Sequence, residues 1–102
     1  MPSLREVAQY VRSKAAGPFW VTIDIFCGDQ AAYERIRKAP ALSAEAVARV
    51  YGVEPGAVKV FEVTALNVLK ISFPRVQPQG SARDADSHAG QYFVALLDAA
   101  VP

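Results

Sequence analysis

The chain has 102 residues, of which 52% are hydrophobic, and its eleven basic and ten acidic residues give a net charge of +1. This length suits one domain, and the near-neutral charge argues against partners that need a basic surface, namely nucleic acids and anionic membranes. A single cysteine excludes an intrachain disulfide, and no apolar run approaches the roughly 20 residues of a membrane span. With no signal-peptide pattern at the N-terminus, we expect one cytoplasmic domain over residues 1–102.

The first predicted element is a helix that starts after Ser3 and ends at Gly17-Pro18. Ser3 and Glu6 have the spacing of a capping box, in which side chains satisfy free backbone N–H groups at the helix start. Proline cannot continue a helix and glycine tolerates positive φ, so the Gly-Pro pair would end it. The apolar stripe of this helix would consist of Leu4, Val7, Ala8 and Val11.

A strand is predicted from Phe19, because the spacing of the apolar residues changes from helical to alternate. One face would carry Phe19, Val21, Ile23, Ile25 and Cys27, and the other Trp20, Thr22, Asp24 and Phe26. Since both faces are largely apolar, we expect both to be covered.

Two short helices are predicted next. Asp29 can cap the first, in the segment DQAAYERIRK, and Pro40 stops it. Ser43 can cap the second, and Gly52 is a suitable residue for its end because glycine tolerates a left-handed backbone. Both helices therefore have clear start and stop residues.

Two β-rich runs follow, at residues 57–64 and 66–73, and we predict that they pair antiparallel, with Pro74 closing the second. Residues 74–91 show no periodicity, and a loop of that length in a small domain is usually functional or disordered. The aromatic start of residues 91–100 favours a last strand. The order of elements predicts an α+β fold, with helices packed on a mostly antiparallel sheet in a single small domain.

Asp24 is the most unusual residue of the predicted strands, since aspartate is depleted in strands and is rarely buried without a partner. It shares a face with Thr22, where burial in a partly apolar pocket would raise the pKa of the carboxyl and suit proton transfer. Asp24 is therefore a candidate catalytic residue and Thr22 a candidate substrate ligand. The alternatives are an edge carboxylate that faces water, or an ion pair with Lys14 or a helix arginine.

The loop at residues 74–91 is the second candidate site. Arg75, Ser81 and Arg83 could bind the carboxylate or phosphate of a substrate through guanidinium groups and backbone N–H groups. His88, the only histidine, is the second catalytic candidate. The alternative is a solvated loop that becomes ordered only against a partner chain.

A metal site and a cysteine nucleophile are weaker interpretations of the same region. Asp84, Asp86 and His88 alternate along an extended segment and could form an open metal site, but such short patterns often match by accident. We assign no metal ligand, and the cofactor is unknown. Cys27 lies on the apolar face of the predicted strand, where a thiol behaves as a small hydrophobic group and not as a nucleophile.

Two segments together resemble a known family. RSKAAGPFWVTIDIF, residues 12–26, and the loop at 74–91 resemble small bacterial domains of unknown function that accompany proteins of the acyclic-terpene-utilisation AtuA type. The resemblance covers nearly the whole chain, and GPF-x-x-T-x-DIF is its most specific part. Because SKAAGPF is similar to the family signature, the resemblance implies that Lys14 points into a shared site as a substrate ligand.

This resemblance implies a partner, an AtuA-like large chain, and a role in small-acid or acyl-CoA metabolism. The expected function is that of a small subunit in a heteromeric enzyme, with a lyase- or hydratase-type step on a small carboxylic acid or acyl-CoA. The alternative is a non-catalytic accessory module that stabilises or regulates the partner. A self-sufficient oligomer that binds a small molecule is the third possibility, and in each case we expect association with another chain.

Overall fold

The structure, a computed structural model, describes residues 2–17, 19–75 and 92–102. Within these residues the helices are α1 (Leu4–Val7), α2 (Gln30–Arg37) and α3 (Ala44–Tyr51). The strands are β1 (Tyr10–Ala15), β2 (Trp20–Phe26), β3 (Lys59–Val63) and β4 (Val68–Pro74). The four strands form one antiparallel sheet in the order β1-β2-β4-β3, which confirms the predicted α+β fold.

The segment after α1 is a strand, so the prediction of a helix up to Gly17 was wrong beyond the first turn. The capping box itself is present, with the Ser3 N–H donating to Glu6 Oε1 at 3.0 Å. Beyond it, β1 pairs with β2 along its whole length, and Val11 is buried between exposed neighbours. The spacing of the apolar residues in β1 fits a strand as well as a helix, and the pairing with β2 makes the segment a strand.

One face of the sheet carries the hydrophobic core. Alternate residues of β2 and β4 point to this face, and Tyr33 and Ile36 of α2 cover it together with Val47 of α3. The sheet residues of the core are Val11, Val21, Ile23, Ile25, Leu69, Ile71 and Phe73. The predicted apolar face is thus confirmed for Val21, Ile23, Ile25 and Cys27, whereas Phe19 precedes β2 and is 56% exposed.

The two middle helices have the predicted boundaries. Asp29 Oδ1 accepts a hydrogen bond from the Ala32 N–H at 2.8 Å, and Ser43 Oγ accepts one from the Ala46 N–H at 3.2 Å. Gly52 ends α3 with a φ of 68°, in the left-handed region that glycine tolerates. These local signals mark where both helices begin and end, while packing of Tyr33, Ile36 and Val47 in the core stabilises them.

The predicted pair of residues 57–64 and 66–73 is also confirmed, as the β3–β4 hairpin. A short 3₁₀ turn, Thr64–Leu66, joins its strands, and Asn67 takes a φ of 54° before β4 begins. Pro74 is the last residue of β4, as expected. Lys59 stands opposite Ser72 and Val63 opposite Val68.

The C-terminal segment corrects the prediction of a strand over residues 91–100. Tyr92–Leu96 is a 3₁₀ helix, and Ala100 makes only an isolated bridge with Ser3. The aromatic residue at the start of this segment packs against the core and does not form part of a strand, because the ring of Tyr92 stacks on Phe73 with 6.4 Å between centroids. In the part of the chain that the structure describes, no helix is long and apolar enough to cross a membrane.

Candidate functional site

The second face of the sheet is not covered by the helices of the described residues. We call it the open face, and it includes three well-exposed aromatic side chains, Tyr10 (57%), Trp20 (37%) and Phe61 (49%). By strand alternation its residues are Tyr10, Arg12, Lys14, Trp20, Thr22, Asp24, Phe26, Lys59, Phe61, Val63, Val68, Lys70, Ser72 and Pro74. The expectation that both faces of β2 are covered holds at the middle of the strand, where Thr22 and Asp24 are buried as well as the core-facing residues, whereas Trp20 at its start is 37% exposed.

Asp24 lies at the centre of the open face, yet its residue is only 2% exposed. In the register of the sheet it stands between Arg12 of β1 and Lys70 of β4. Arg12 Nε donates to Asp24 Oδ2 at 3.3 Å, and Lys70 Nζ lies 3.8 Å from Oδ1. The Arg12 guanidinium also lies over the ring of Phe26, 5.1 Å from its centroid. Cationic side chains thus cover the carboxylate.

This arrangement supports the ion-pair interpretation of Asp24, but with other partners than the predicted ones. The cations come from the neighbouring strands, as Arg12 and Lys70, and not from Lys14 or a helix. Asp24 Oδ1 is buried and accepts no hydrogen bond from any residue that the structure describes. This oxygen is shielded from solvent, and its electrostatic partner among the described residues is Lys70 Nζ at 3.8 Å.

A second row of polar residues crosses the open face beside Asp24. Lys14 of β1 stands opposite Thr22 of β2, Thr22 opposite Ser72 of β4, and Ser72 opposite Lys59 of β3. We call these four residues the lysine row. Its two hydroxyls lie between two exposed lysines, and the pairing of β1 with β2 makes the candidate residues Thr22 and Lys14 neighbours.

Arg75, the remaining described candidate, lies on the other side of the sheet. Its backbone N–H donates to the Phe19 carbonyl at 2.7 Å, and its guanidinium lies 5.3 Å from the ring centroid of Tyr92. Tyr92 stacks on Phe73 of the core, and the Tyr51 hydroxyl donates to the Tyr92 carbonyl. Arg75 is therefore separated from Asp24 by the sheet itself.

The other candidates lie outside the described residues. These are Ser81, Arg83 and His88, and the Asp84 and Asp86 of the metal pattern. Within residues 2–17, 19–75 and 92–102 there is no group of three or more histidine, cysteine, aspartate and glutamate side chains that could hold a metal ion.

Cys27 has the inert environment that its position on the apolar face predicts. Burial raises the pKa of its thiol to about 11, and the nearby Asp29 carboxylate acts in the same direction. The thiol is therefore protonated at neutral pH, and a protonated, buried thiol is a poor nucleophile.

Sequence reasoning missed Arg12 and Lys70 as the partners of Asp24. Arg12 fell inside the predicted first helix, and the pairing of β2 with β4 joins segments far apart in the chain. Lys70 did carry a signal, because it is the only charged residue in the apolar run VLKISF, as Asp24 is in WVTIDIF. Two opposite charges at the centres of two apolar strands would have suggested that the strands are neighbours.

Comparison with known proteins gives one family. The family model described as "Domain of unknown function (DUF4387)" matches residues 4–100. Neither the curated proteins nor the solved structures contain a significant match to the chain. The matched residues include all four strands, so the whole open face lies within the family domain.

Proposed function

The chain belongs to the DUF4387 family of domains of unknown function, and we propose that it is a small companion subunit of a larger protein. The proposed partner is an AtuA-like chain, which this domain contacts through its open face. The observation that carries the proposal is a sheet face that no described helix covers, with three exposed aromatic side chains around the buried Asp24 carboxylate and its half-exposed partner Arg12. Aromatic side chains and arginine are enriched in the buried centres of protein interfaces.

The proposed complex acts in the cytoplasm on a small carboxylic acid or an acyl-CoA, in a lyase- or hydratase-type step. The AtuA-like partner and this reaction are supported by the resemblance of residues 12–26 and 74–91 to AtuA-associated domains. In this proposal the large chain provides most of the chemistry. The small chain completes or supports the active site from one side.

A non-catalytic accessory role is the second candidate, and one observation favours it. The Asp24 carboxylate is already paired with Arg12 and lies close to Lys70, so its charge is used within the chain. A general base needs a carboxylate that can reach the substrate. The accessory domain would then stabilise or regulate the AtuA-like chain without touching its substrate.

Co-expression of the two chains tests the association. We expect them to co-purify and to give a defined complex by light scattering. Phe61→Ser should weaken the complex at least about tenfold, because truncating an aromatic interface anchor typically costs more than about 1 kcal/mol. The matched control is Val50→Ser on α3, since Val50 and Phe61 are almost equally exposed, at 48% and 49%. Two chains that stay separate at high concentration would contradict the proposal.

Activity measurements separate the two roles. The large chain is assayed alone and with the small chain, at equal concentrations of folded large chain. A catalytic contribution predicts a higher turnover per folded large chain, whereas an accessory role predicts an unchanged turnover and a longer lifetime of the active protein.

A further inference from the structure

The open face is more basic than the chain to which it belongs. Its residues include four cationic side chains and one carboxylate, which give a net charge of +3, whereas the whole chain carries +1. The cations are Arg12, Lys14, Lys59 and Lys70, and the carboxylate is Asp24. The remaining residues of the chain therefore carry a net negative charge. Segregation of positive charge onto a sheet face that no described helix covers indicates a partner of opposite charge.

Two of these cations form no ion pair within the described structure. Arg12 and Lys70 surround Asp24, but Lys14 and Lys59 form no ion pair with any residue in the described ranges. They stand at the two ends of the lysine row, about 14 Å apart, because neighbouring strands are spaced by about 4.8 Å. Both side chains are exposed, so their ammonium groups can reach inward over the row.

The residues between the two lysines suit a carboxylate. Thr22 and Ser72 stand side by side at the middle of the row; Thr22 is only 7% exposed and Ser72 is half-buried, so the Ser72 hydroxyl is the more accessible hydrogen-bond donor. Trp20 borders the row on one side, and Phe61 lies next to Lys59 on the same face of β3. An anionic group would thus meet hydroxyl donors and cations, with aromatic surface beside it.

We propose that the lysine row binds an acidic protein segment, with a glutamate or aspartate carboxylate of the partner over Thr22 and Ser72. Lys14 and Lys59 then pair with this carboxylate or with its acidic neighbours. The inference rests on the proposed function and adds the chemistry of the partner surface, which is acidic with apolar residues between its charges. It also assigns the complementary site on this chain to four named residues.

Single-stranded nucleic acid is the competing occupant, because basic and aromatic side chains on an open sheet also bind phosphates and bases. One observation favours a protein: the net charge of the whole chain is only +1, which provides little long-range attraction for a polyanion.

Titration with model peptides tests the site directly and does not depend on the AtuA-like chain. The ¹⁵N-labelled chain is titrated at low salt with a peptide of alternating glutamate and leucine, and with a control peptide in which glutamine replaces glutamate. We expect amide shifts centred on Lys14, Thr22, Lys59 and Ser72 with the acidic peptide only, and their loss at high salt. No shifts at these residues, or stronger shifts there with oligouridylate, would overturn the inference.

Charge reversal tests the same site in the complex. Lys14→Glu combined with Lys59→Glu should weaken binding to the AtuA-like chain at least about tenfold and flatten its salt dependence. Lys14→Gln with Lys59→Gln should give an intermediate loss, and provides a milder change if the reversed pair folds poorly. Arg49→Glu, on the exposed surface of α3, is the control and should leave binding unchanged.

The two proposals fail in different ways. If the unmodified chain binds the AtuA-like chain but charge reversal has no effect, the acidic-segment inference is wrong and the companion role stands. If the unmodified chains do not associate, the companion role is wrong, and the peptide titration alone decides whether the lysine row binds carboxylates.

Discussion

Asp24 shows how a charged side chain is accommodated in the middle of an apolar strand. The carboxylate pairs with Arg12 and lies close to Lys70, and the Arg12 guanidinium lies over the ring of Phe26, while both cations remain partly exposed to water. Removing a charge from water is unfavourable, so a buried ion pair is weak support for net stability. Once Asp24 is buried, however, the loss of its charge leaves two cations side by side on the open face.

Replacing Asp24 by asparagine tests the role of this charge, because the substitution keeps the shape of the side chain and removes its negative charge. We expect a loss of about 1–2 kcal/mol in the free energy of unfolding, since charge-assisted hydrogen bonds contribute about that much and the remaining cations are solvated. The melting temperature should fall by about 5 °C or more, and activity per folded complex should stay near normal.

The matched control for this prediction is Asp98→Asn. Asp98 pairs with Arg5 at 3.2 Å, but both side chains are exposed, and such pairs contribute little. Combining Asp24→Asn with Arg12→Gln in a double-mutant cycle should give a coupling of at least about 0.5 kcal/mol. A strong loss of activity with unchanged stability would instead favour a catalytic Asp24.

The Cys27 thiol predicts a pH dependence of stability. Burial raises the pKa of the thiol from 9.0 to about 11, so the unfolded chain loses this proton first as the pH rises. The free energy of unfolding should therefore fall between about pH 9 and pH 11, by about 2–3 kcal/mol from this group alone. Cys27→Ala lacks the titrating group, so the stability gap between the two proteins should narrow over this range. A constant gap in denaturant unfolding would contradict the prediction.

At the scale of elements, the local sequence predicts a helix correctly where the helix has its own capping and terminating residues. α2 and α3 have a capping side chain at the start, and a proline or glycine after the end, and both appear at the predicted positions. β1 has no such capping or terminating residues, and the spacing of its apolar residues fits either a helix or a strand. Its conformation depends on β2 as a neighbour, which a local pattern does not contain.

Two glycines at the ends of elements should differ in how much stability the protein loses when each is replaced by alanine. Gly52 has a φ of 68° and open space where a Cβ would lie, so Gly52→Ala should cost about 1 kcal/mol from backbone strain alone. Gly28 has a φ of 92°, and an added Cβ would lie 3.2 Å from Gln9 Cβ. Gly28→Ala should therefore cost more, about 2 kcal/mol or above.

Gly56→Ala is the control for these two changes, because Gly56 has no positive φ and nothing near its added Cβ. Its effect on the free energy of unfolding should be small, or slightly stabilising through the unfolded state. Denaturant unfolding of the three variants should give the order Gly28, Gly52, Gly56 from most to least destabilised. Equal losses at Gly28 and Gly52 would show that Gln9 moves aside freely.

At the scale of the whole molecule, the sheet consists of two hairpins that meet where β2 pairs with β4. The first hairpin is β1–β2 and the second is β3–β4, with both middle helices between them in the chain. The second hairpin was predictable from local pattern, whereas the contact between the hairpins was not. The candidate site could not be predicted fully for the same reason, because the neighbours of Asp24 and Thr22 on β4 belong to the second hairpin, which is distant in the sequence.

Amide hydrogen exchange should reveal this organisation. The amides of β2 and β4 lie in the two central strands, so those bonded across the β2–β4 pairing should exchange only through global unfolding. The edge strand β3 is largely exposed along its length, and we expect its amides to exchange faster through local opening. Protection of β3 equal to that of β2 would contradict this order.

The open face is assembled from four strands that lie on both sides of the helical segment, and it therefore exists only in the folded chain. A short peptide cut from any one strand cannot reproduce it, so a partner that recognises the face selects the native state. Such a partner adds about 2.7 kcal/mol of stability at a concentration of 100 times its Kd. The cellular level of this domain would then follow that of its partner, because a copy left alone unfolds more often and is exposed to proteolysis.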